Sequence, residues 1–178
     1  MVNLYLSITD SCPFIVNATN TGLQPAESNY ITPMKRPLSS MAPTMLFANS
    51  AGSPDTSLGK LLLVLGSSGG PKIITSVLQV ILNRIFCGMP LFESIVHPRV
   101  HNQLLYHEFA ATGYERCPLI NGPLIESPER TRDALQRRHQ NIIPVDYMGT
   151  CQAISIDSET DALSAVSDIR KYGQSDGY

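Results

Sequence analysis

The chain has 178 residues, 43% of them hydrophobic and 16% charged, with 13 basic against 15 acidic side chains for a formal net charge of −2. That is apolar enough for a packed core and too apolar for a disordered chain, and the near-neutral balance argues against nucleic acid as a partner. The charged fraction is below the roughly one quarter usual on a free-standing soluble surface, so something else is expected to cover part of this one.

One domain over residues 1–178 suits this length. Cys12, Cys87, Cys117 and Cys151 lie far apart with no C-x-x-C pair, which argues against a zinc knuckle and for buried small hydrophobes. Met1 to Asp10 has no basic region ahead of an apolar run, so it makes a poor signal peptide. The most apolar stretch, Ile73 to Cys87, is too short and too polar to span a membrane. The chain carries no address of its own.

Residues 10 to 44 are rich in Pro, Ser, Thr and Asn and read as mainly loop, 10–34 above all, with a lone glycosylation sequon at Asn17-Ala18-Thr19. Pro43 to Phe47 and Lys60 to Leu65 read as strands joined through a turn over Asn49 to Gly59, which predicts an antiparallel hairpin. Leu61 to Leu65 is apolar at every position, so burial on both faces is expected. A helix from Ile73 to Phe86 follows, with Pro71 in its first turn, Gly88 at its left-handed stop, and apolar residues almost all round, which predicts deep burial. Leu91 to Val96 reads as a short helix closed by Pro98. Residues 110 to 128 look irregular, Pro128 to Asn141 helical and solvated, and Cys151 to Ile156 a strand. The Asp157 to Thr160 turn then leads to a weak strand near Ala162 to Val166. The sum is a layered α and β domain.

Gly66-Ser67-Ser68-Gly69-Gly70-Pro71-Lys72 joins a buried strand to a buried helix, where unpaired N–H groups and the dipole welcome negative charge. A phosphate cradle fits poorly, because Lys72 follows Pro71 and precedes Ile73, and the glycine spacing fails the dinucleotide fingerprint. The run formally satisfies the G-x-S-x-G nucleophile elbow at Ser68. An acid-then-histidine order leaves Asp133 with His139, six residues apart on one helix, which is poor triad geometry. The third reading is an oxyanion hole, since two successive glycines let backbone N–H groups approach a carbonyl unhindered. A tight turn that needs glycine for backbone reasons alone weighs equally with it. His97 and His101 could face one way as metal ligands, but Pro98 between them argues otherwise. Lys35-Arg36 and Arg137-Arg138-His139 read as solvated charge, Thr44 as sheet packing, and Arg99 and Asn102 as loop anchors.

Lys35-Arg36-Pro37-Leu38-Ser39-Ser40-Met41-Ala42-Pro43-Thr44 resembles the P-L-S-S-M-x-P-T signature of the gamma-glutamyltransferases, or glutathione hydrolases. Gly66 to Thr75, Gly88-Met89, Glu93, Pro98-Arg99 and His101-Asn102-Gln103 fall in that family's order, and Ser167 to Tyr178 resembles its usual ending. The likeness is strong over about Asn29 to Gln103 and the tail. It implies an N-terminal-nucleophile hydrolase with an α-β-β-α sandwich, of which this chain resembles an incomplete small-subunit portion. In such enzymes a threonine attacks the gamma-glutamyl amide of glutathione, with its own α-amino group as base, and the acyl group passes to water or to an amino-acid or dipeptide acceptor.

By position, the resemblance gives Ser39 and Ser40 the donor's α-carboxylate, Gly69 and Gly70 the oxyanion, and Asn3 a contact with the glutamyl group, although Leu6-Ser7 replaces the family's Phe-Gly. It implies no cofactor, no metal and a large-subunit partner from the same precursor. By family the protein lies on the membrane-associated extracellular face, in the secretory pathway or in the vacuole. The threonine is expected some twenty residues before Asn3, ahead of Met1. The acidic stretch between the asparagine and the serines is also missing, since only Asp10 and Glu27 are acidic before Ser39. A catalytically inactive relative or fragment, acting only as a binding or structural module, is the alternative.

Overall fold

The computed structural model describes residues 27, 30, 32–36, 39–48, 59–104, 110–120, 122–171 and 173–177. In chain order these form β1 (Thr44–Phe47), β2 (Leu61–Ser68), α1 (Lys72–Ile81) running into a π-helical turn over Leu82–Phe86, and α2 (Leu91–Val96). Then come β3 (Val100–Asn102), β4 (Thr112–Pro118), β5 (Leu124–Glu126), α3 (Glu129–Gln136), β6 (Ile142–Val145), β7 (Thr150–Ile156) and β8 (Leu163–Val166). Two four-stranded sheets result, one in the order β1-β2-β7-β8, the other β3-β4-β5 with β6 beside β4.

The first sheet is antiparallel throughout, and its register assigns the faces: Thr44 lies opposite Leu65, Leu65 opposite Ala153, and Ala153 opposite Val166. Residues paired in this way share a face. On one face Leu63, Leu65, Cys151 and Ala153 pack against Val77 and Val80 of α1 and Leu91 and Ile95 of α2, forming the main core. The other face is uncovered among the described residues. Met45, opposite Val64, and Ile154, on the far side of Val64, are 62% and 44% exposed, and Leu163 is 70% exposed.

The hairpin and the strands near 151–156 and 162–166 form as the sequence predicts, although residues 49–58 of the turn lie outside the described residues. Other expectations need correction. Leu62 and Val64 are only half-buried, because nothing among the described residues covers their face. Likewise the predicted helix is not buried all round: Ser76, Val77 and Val80 face the sheet, while Ile74 and Leu78 of α1 and Ile85 and Phe86 of the π-helical turn are exposed. Residues 110 to 128 are not irregular, since they hold β4 and β5, and β3 and β6 were not anticipated at all. On β4 the inward position Glu115 is a carboxylate, which breaks the apolar alternation that marks a strand. The solvated helix covers only Glu129–Gln136, and Cys87 is exposed, unlike Cys117 and Cys151.

Candidate active site

Strand β2 runs on through Gly66, Ser67 and Ser68, so the turn is confined to Gly69, Gly70 and Pro71. Both glycines have positive φ, 142° and 59°, but they differ in surroundings. A Cβ on Gly69 would lie 2.7 Å from the Gly149 Cα, whereas a Cβ on Gly70 would meet nothing within 4 Å. Gly69 is therefore glycine because another backbone passes against it, and Gly70 faces open space. Among the described residues neither N–H donates to a protein acceptor, while the two carbonyls start α1 by accepting from Lys72 and Ile73 at 3.3 and 3.0 Å. Two unengaged N–H groups at the start of a helix can accept a developing negative charge.

A segment that the sequence reading did not single out supports this turn from beneath. Ser68 lies opposite Thr150, which brings Tyr147-Met148-Gly149 under the glycines. Gly149 has φ 87°, and a Cβ there would lie 2.8 Å from both the Ser68 carbonyl oxygen and the Ser76 Oγ. Ser76 donates to the Met148 carbonyl at 2.6 Å, and Lys72 Nζ donates to the Tyr147 carbonyl at 2.7 Å. The only sequence signal was a glycine immediately ahead of a strand.

The Gly149 carbonyl accepts from Arg99 Nη1 at 2.6 Å, which links the turn to a buried ionic cluster. Arg99 Nη2 pairs with Asp168 Oδ2 at 2.9 Å, Arg170 Nη1 with Asp168 Oδ1 at 3.0 Å, and Arg170 Nε with Glu115 Oε1 at 2.6 Å. Asp168 also accepts from the Cys151 N–H at 2.8 Å, and Glu115 from the Arg99 N–H at 3.0 Å. Burial alone would raise the Asp168 carboxyl, but the two guanidinium groups reverse this and hold it below its ordinary range. Burial pushes the Cys151 thiol up to about 11, so it stays protonated and packs as a small hydrophobe. Arg99 thus anchors structure, as expected, and so does Asn102, whose Nδ2 donates to Thr112 Oγ1 at 2.7 Å.

Ser39 is exposed and Ser40 half-buried. Because Thr44 lies opposite Leu65 in an antiparallel pair, the chain ahead of Thr44 and the rest of β2 after Leu65 run toward the same end of the sheet. The glycine turn follows β2 at that end, and Ser39 and Ser40 lie on the segment that leads into β1. Asn3 lies outside the described residues. Among the described residues Ser68 does not meet a histidine: its Oγ contacts Thr150 Oγ1, Lys171 Nζ and Tyr147 OH. His101 bonds instead to Thr75 Oγ1 and Gln103 Oε1, both at 2.8 Å, and burial is the main cause that lowers its pKa. Among the described residues no group of three or more His, Cys, Asp or Glu side chains is placed to hold a metal ion, and no helix is long and apolar enough to cross a membrane.

A sheet with helices on one face and a bare apolar opposite face is one half of the α-β-β-α sandwich of N-terminal-nucleophile hydrolases, and solved gamma-glutamyltranspeptidase structures share that mixed α/β fold. The gamma-glutamyltranspeptidase family model matches residues 8–178, and the chain belongs to that family. It is 36% identical to glutathione hydrolase 2 of Arabidopsis thaliana over 159 residues, which is 86% of this chain and 25% of the relative. The glutathione hydrolase proenzyme of Escherichia coli is 33% identical over 145 residues, 81% of this chain and 21% of the relative. A solved Helicobacter pylori gamma-glutamyltranspeptidase matches with a TM-score of 0.66 at 33% identity, over 84% of this chain and 70% of that one. The chain spans a quarter or less of the length of these curated relatives.

Proposed function

We propose that this chain supplies part of the active site of a gamma-glutamyl-transferring enzyme, one that cleaves the gamma-glutamyl amide of glutathione or a related compound and passes the acyl group to water or to an amino-acid or dipeptide acceptor. The observation that carries this reading is the pair of unengaged N–H groups at Gly69 and Gly70, with open space beside Gly70. These donors would hold the oxyanion of the tetrahedral intermediate, where charge appears only as the nucleophile attacks. Ser39 and Ser40, on the segment that leads into β1, would donate hydrogen bonds to the α-carboxylate of the gamma-glutamyl substrate, and Asn3 would contact its glutamyl chain.

The attacking threonine and the rest of the donor site would come from chain outside these residues. A large subunit cut from the same precursor is the partner this requires, and the bare face of the first sheet is the surface it would cover. No cofactor is needed for acyl transfer of this kind. A location at the extracellular face, in the secretory pathway or in the vacuole rests on family membership alone.

Turnover of a gamma-glutamyl anilide by this chain assembled with a complete upstream portion tests the reading. Gly70→Val fills the open space and is expected to lower kcat by roughly 10²–10³, the usual cost of losing one oxyanion donor. Undiminished turnover in the variant would overturn the oxyanion role. No turnover in the unaltered assembly would favour the inactive relative.

A further inference from the structure

The helix layer carries a surface that no described part of the chain covers. Between Lys72 and Phe86 every exposed residue is apolar: Ile74, Leu78, Leu82, Ile85 and Phe86, at 40% to 77% exposure. The polar side chains of the same stretch turn to other segments instead. Lys72 Nζ and Ser76 Oγ donate to the Tyr147 and Met148 carbonyls, Gln79 Nε2 to the Val100 carbonyl at 2.8 Å, and Arg84 Nη1 to the Met89 carbonyl at 3.2 Å. Thr75 bonds to His101, and Asn83 to the Ser94 carbonyl. A helix that faces water is built the other way round, as α3 is: its exposed positions are Glu129, Arg130, Asp133 and Gln136.

Ile74, Leu78, Leu82 and Phe86 follow one another at intervals of four, with Ile85 beside them, and so form a ridge along one side. In an α-helix that spacing drifts slowly round the axis, because a turn takes about 3.6 residues. The wider π-helical turn, in which the Cys87 N–H reaches back to the Leu82 carbonyl at 3.0 Å, offsets the drift and keeps Phe86 in line.

We infer that this ridge is a second docking surface for the large-subunit portion of the precursor, so that in the assembled enzyme α1 lies between its own sheet and the partner chain. The inference rests on the gamma-glutamyl reading, which puts that portion against the bare sheet face. Size and position select this occupant. At about half exposure and on the order of 200 Å² per large side chain, the ridge presents roughly 500 Å², short of the about 800 Å² that each partner of a standard interface buries. The bare sheet face lies on the far side of that sheet from α1. A second copy seated on one surface therefore leaves the other in water, and a head-to-tail arrangement using both would propagate into an open fibre. One long chain covers both, and this chain spans a quarter or less of the length of its curated relatives. With no charged side chain exposed on the ridge, the face it takes is apolar and uncharged.

The experiment titrates the 178-residue chain with a complete upstream portion and reads assembly by size-exclusion chromatography. Leu78→Glu and Phe86→Glu are each expected to keep the urea midpoint of the chain alone, because both side chains already face water. Each is expected to raise the Kd of assembly at least about a hundredfold, since docking would bury an unpaired carboxylate. Phe86→Ser repeats the measurement without added charge and is expected to weaken assembly about tenfold. Ile154→Glu, on the bare sheet face, tests the earlier reading separately. An unaltered Kd in the ridge variants, with Ile154→Glu still disruptive, overturns the ridge and leaves the sheet face as the docking surface. No assembly by the unaltered chain overturns the partner itself, and this inference with it. A lowered urea midpoint in both glutamate variants would show that the ridge is packed within this chain. A dimer of the chain alone that Leu78→Glu dissociates would show a second copy on it, and either result also overturns the inference.

Discussion

The core under the first sheet and the ionic cluster under the glycine turn hold the fold in opposite ways. In the core, Leu63, Leu65, Val80 and Ile95 make non-directional contacts, each of which can be weakened without undoing the rest. In the cluster, Arg99, Glu115, Asp168 and Arg170 are satisfied by one another and by the backbone carbonyls of Ile95, Val96, His97 and Gly149, with only the Arg99 Nε lacking a partner among the described residues. A buried ion pair adds little net stability over an apolar substitute, but removing one member strands the other charges. The core therefore drives collapse, whereas the cluster fixes where residues 167–171 lie and, through the Gly149 carbonyl, how the glycine turn is supported.

The comparison breaks most sharply at Asp168. Asp168→Ala leaves two buried guanidinium groups short of a counter-charge and is expected to cost about 3–5 kcal/mol in urea unfolding, as much as emptying a core position. A loss under about 1 kcal/mol would mean that the cluster is wet and replaceable. The next effect separates the two glycines. Gly69→Ala drives a Cβ into the Gly149 backbone and is expected to destabilise by about 1–3 kcal/mol, while Gly70→Ala pays only the left-handed penalty of about 1 kcal/mol. Equal losses would show that the Gly149 support yields.

Acid sharpens the contrast further. Asp168 sits below its ordinary pKa, so the stability it contributes is complete above about pH 4 and is lost as pH falls through its lower folded value. His101 also has a lowered pKa, so below about pH 6.5 the unfolded chain binds the extra proton first and stability begins to fall there. Urea midpoints measured from pH 7 to pH 3 are expected to decline in two stages, and His101→Gln removes the upper one. The smallest effect belongs to the bare face. Ile154→Ser, 44% exposed at the start, is expected to change the stability of this chain by no more than about 0.5 kcal/mol. A larger loss would mean that this face is already covered without a partner.

Much of the first sheet was legible because its signals are local. Alternation and turn residues mark β1, β7 and β8, the Leu61 to Leu65 run marks β2, and Pro71 and Gly88 bracket the helix between. The second sheet was not, since Glu115 sits at an inward position of β4 and reads as a surface residue until Arg170 is brought to it from 55 positions away. Even the apolar run of β2 misled, because a hydrophobic residue announces that it wants cover but not whether this chain provides it.

For the site, the glycine doublet, the serine pair and the family they resemble could be read directly from residue order. Tyr147, Gly149 and Lys171 could not, because what makes them matter is a close approach between segments some 80 to 100 positions apart. Sequence alone determined the elements, the apolar inventory and the family, all of which depend on neighbours along the chain. The tertiary structure alone decided which face stays bare, which charges meet and what stands beside Ser68, since electrostatics and contact act through space and fall off over a few ångströms.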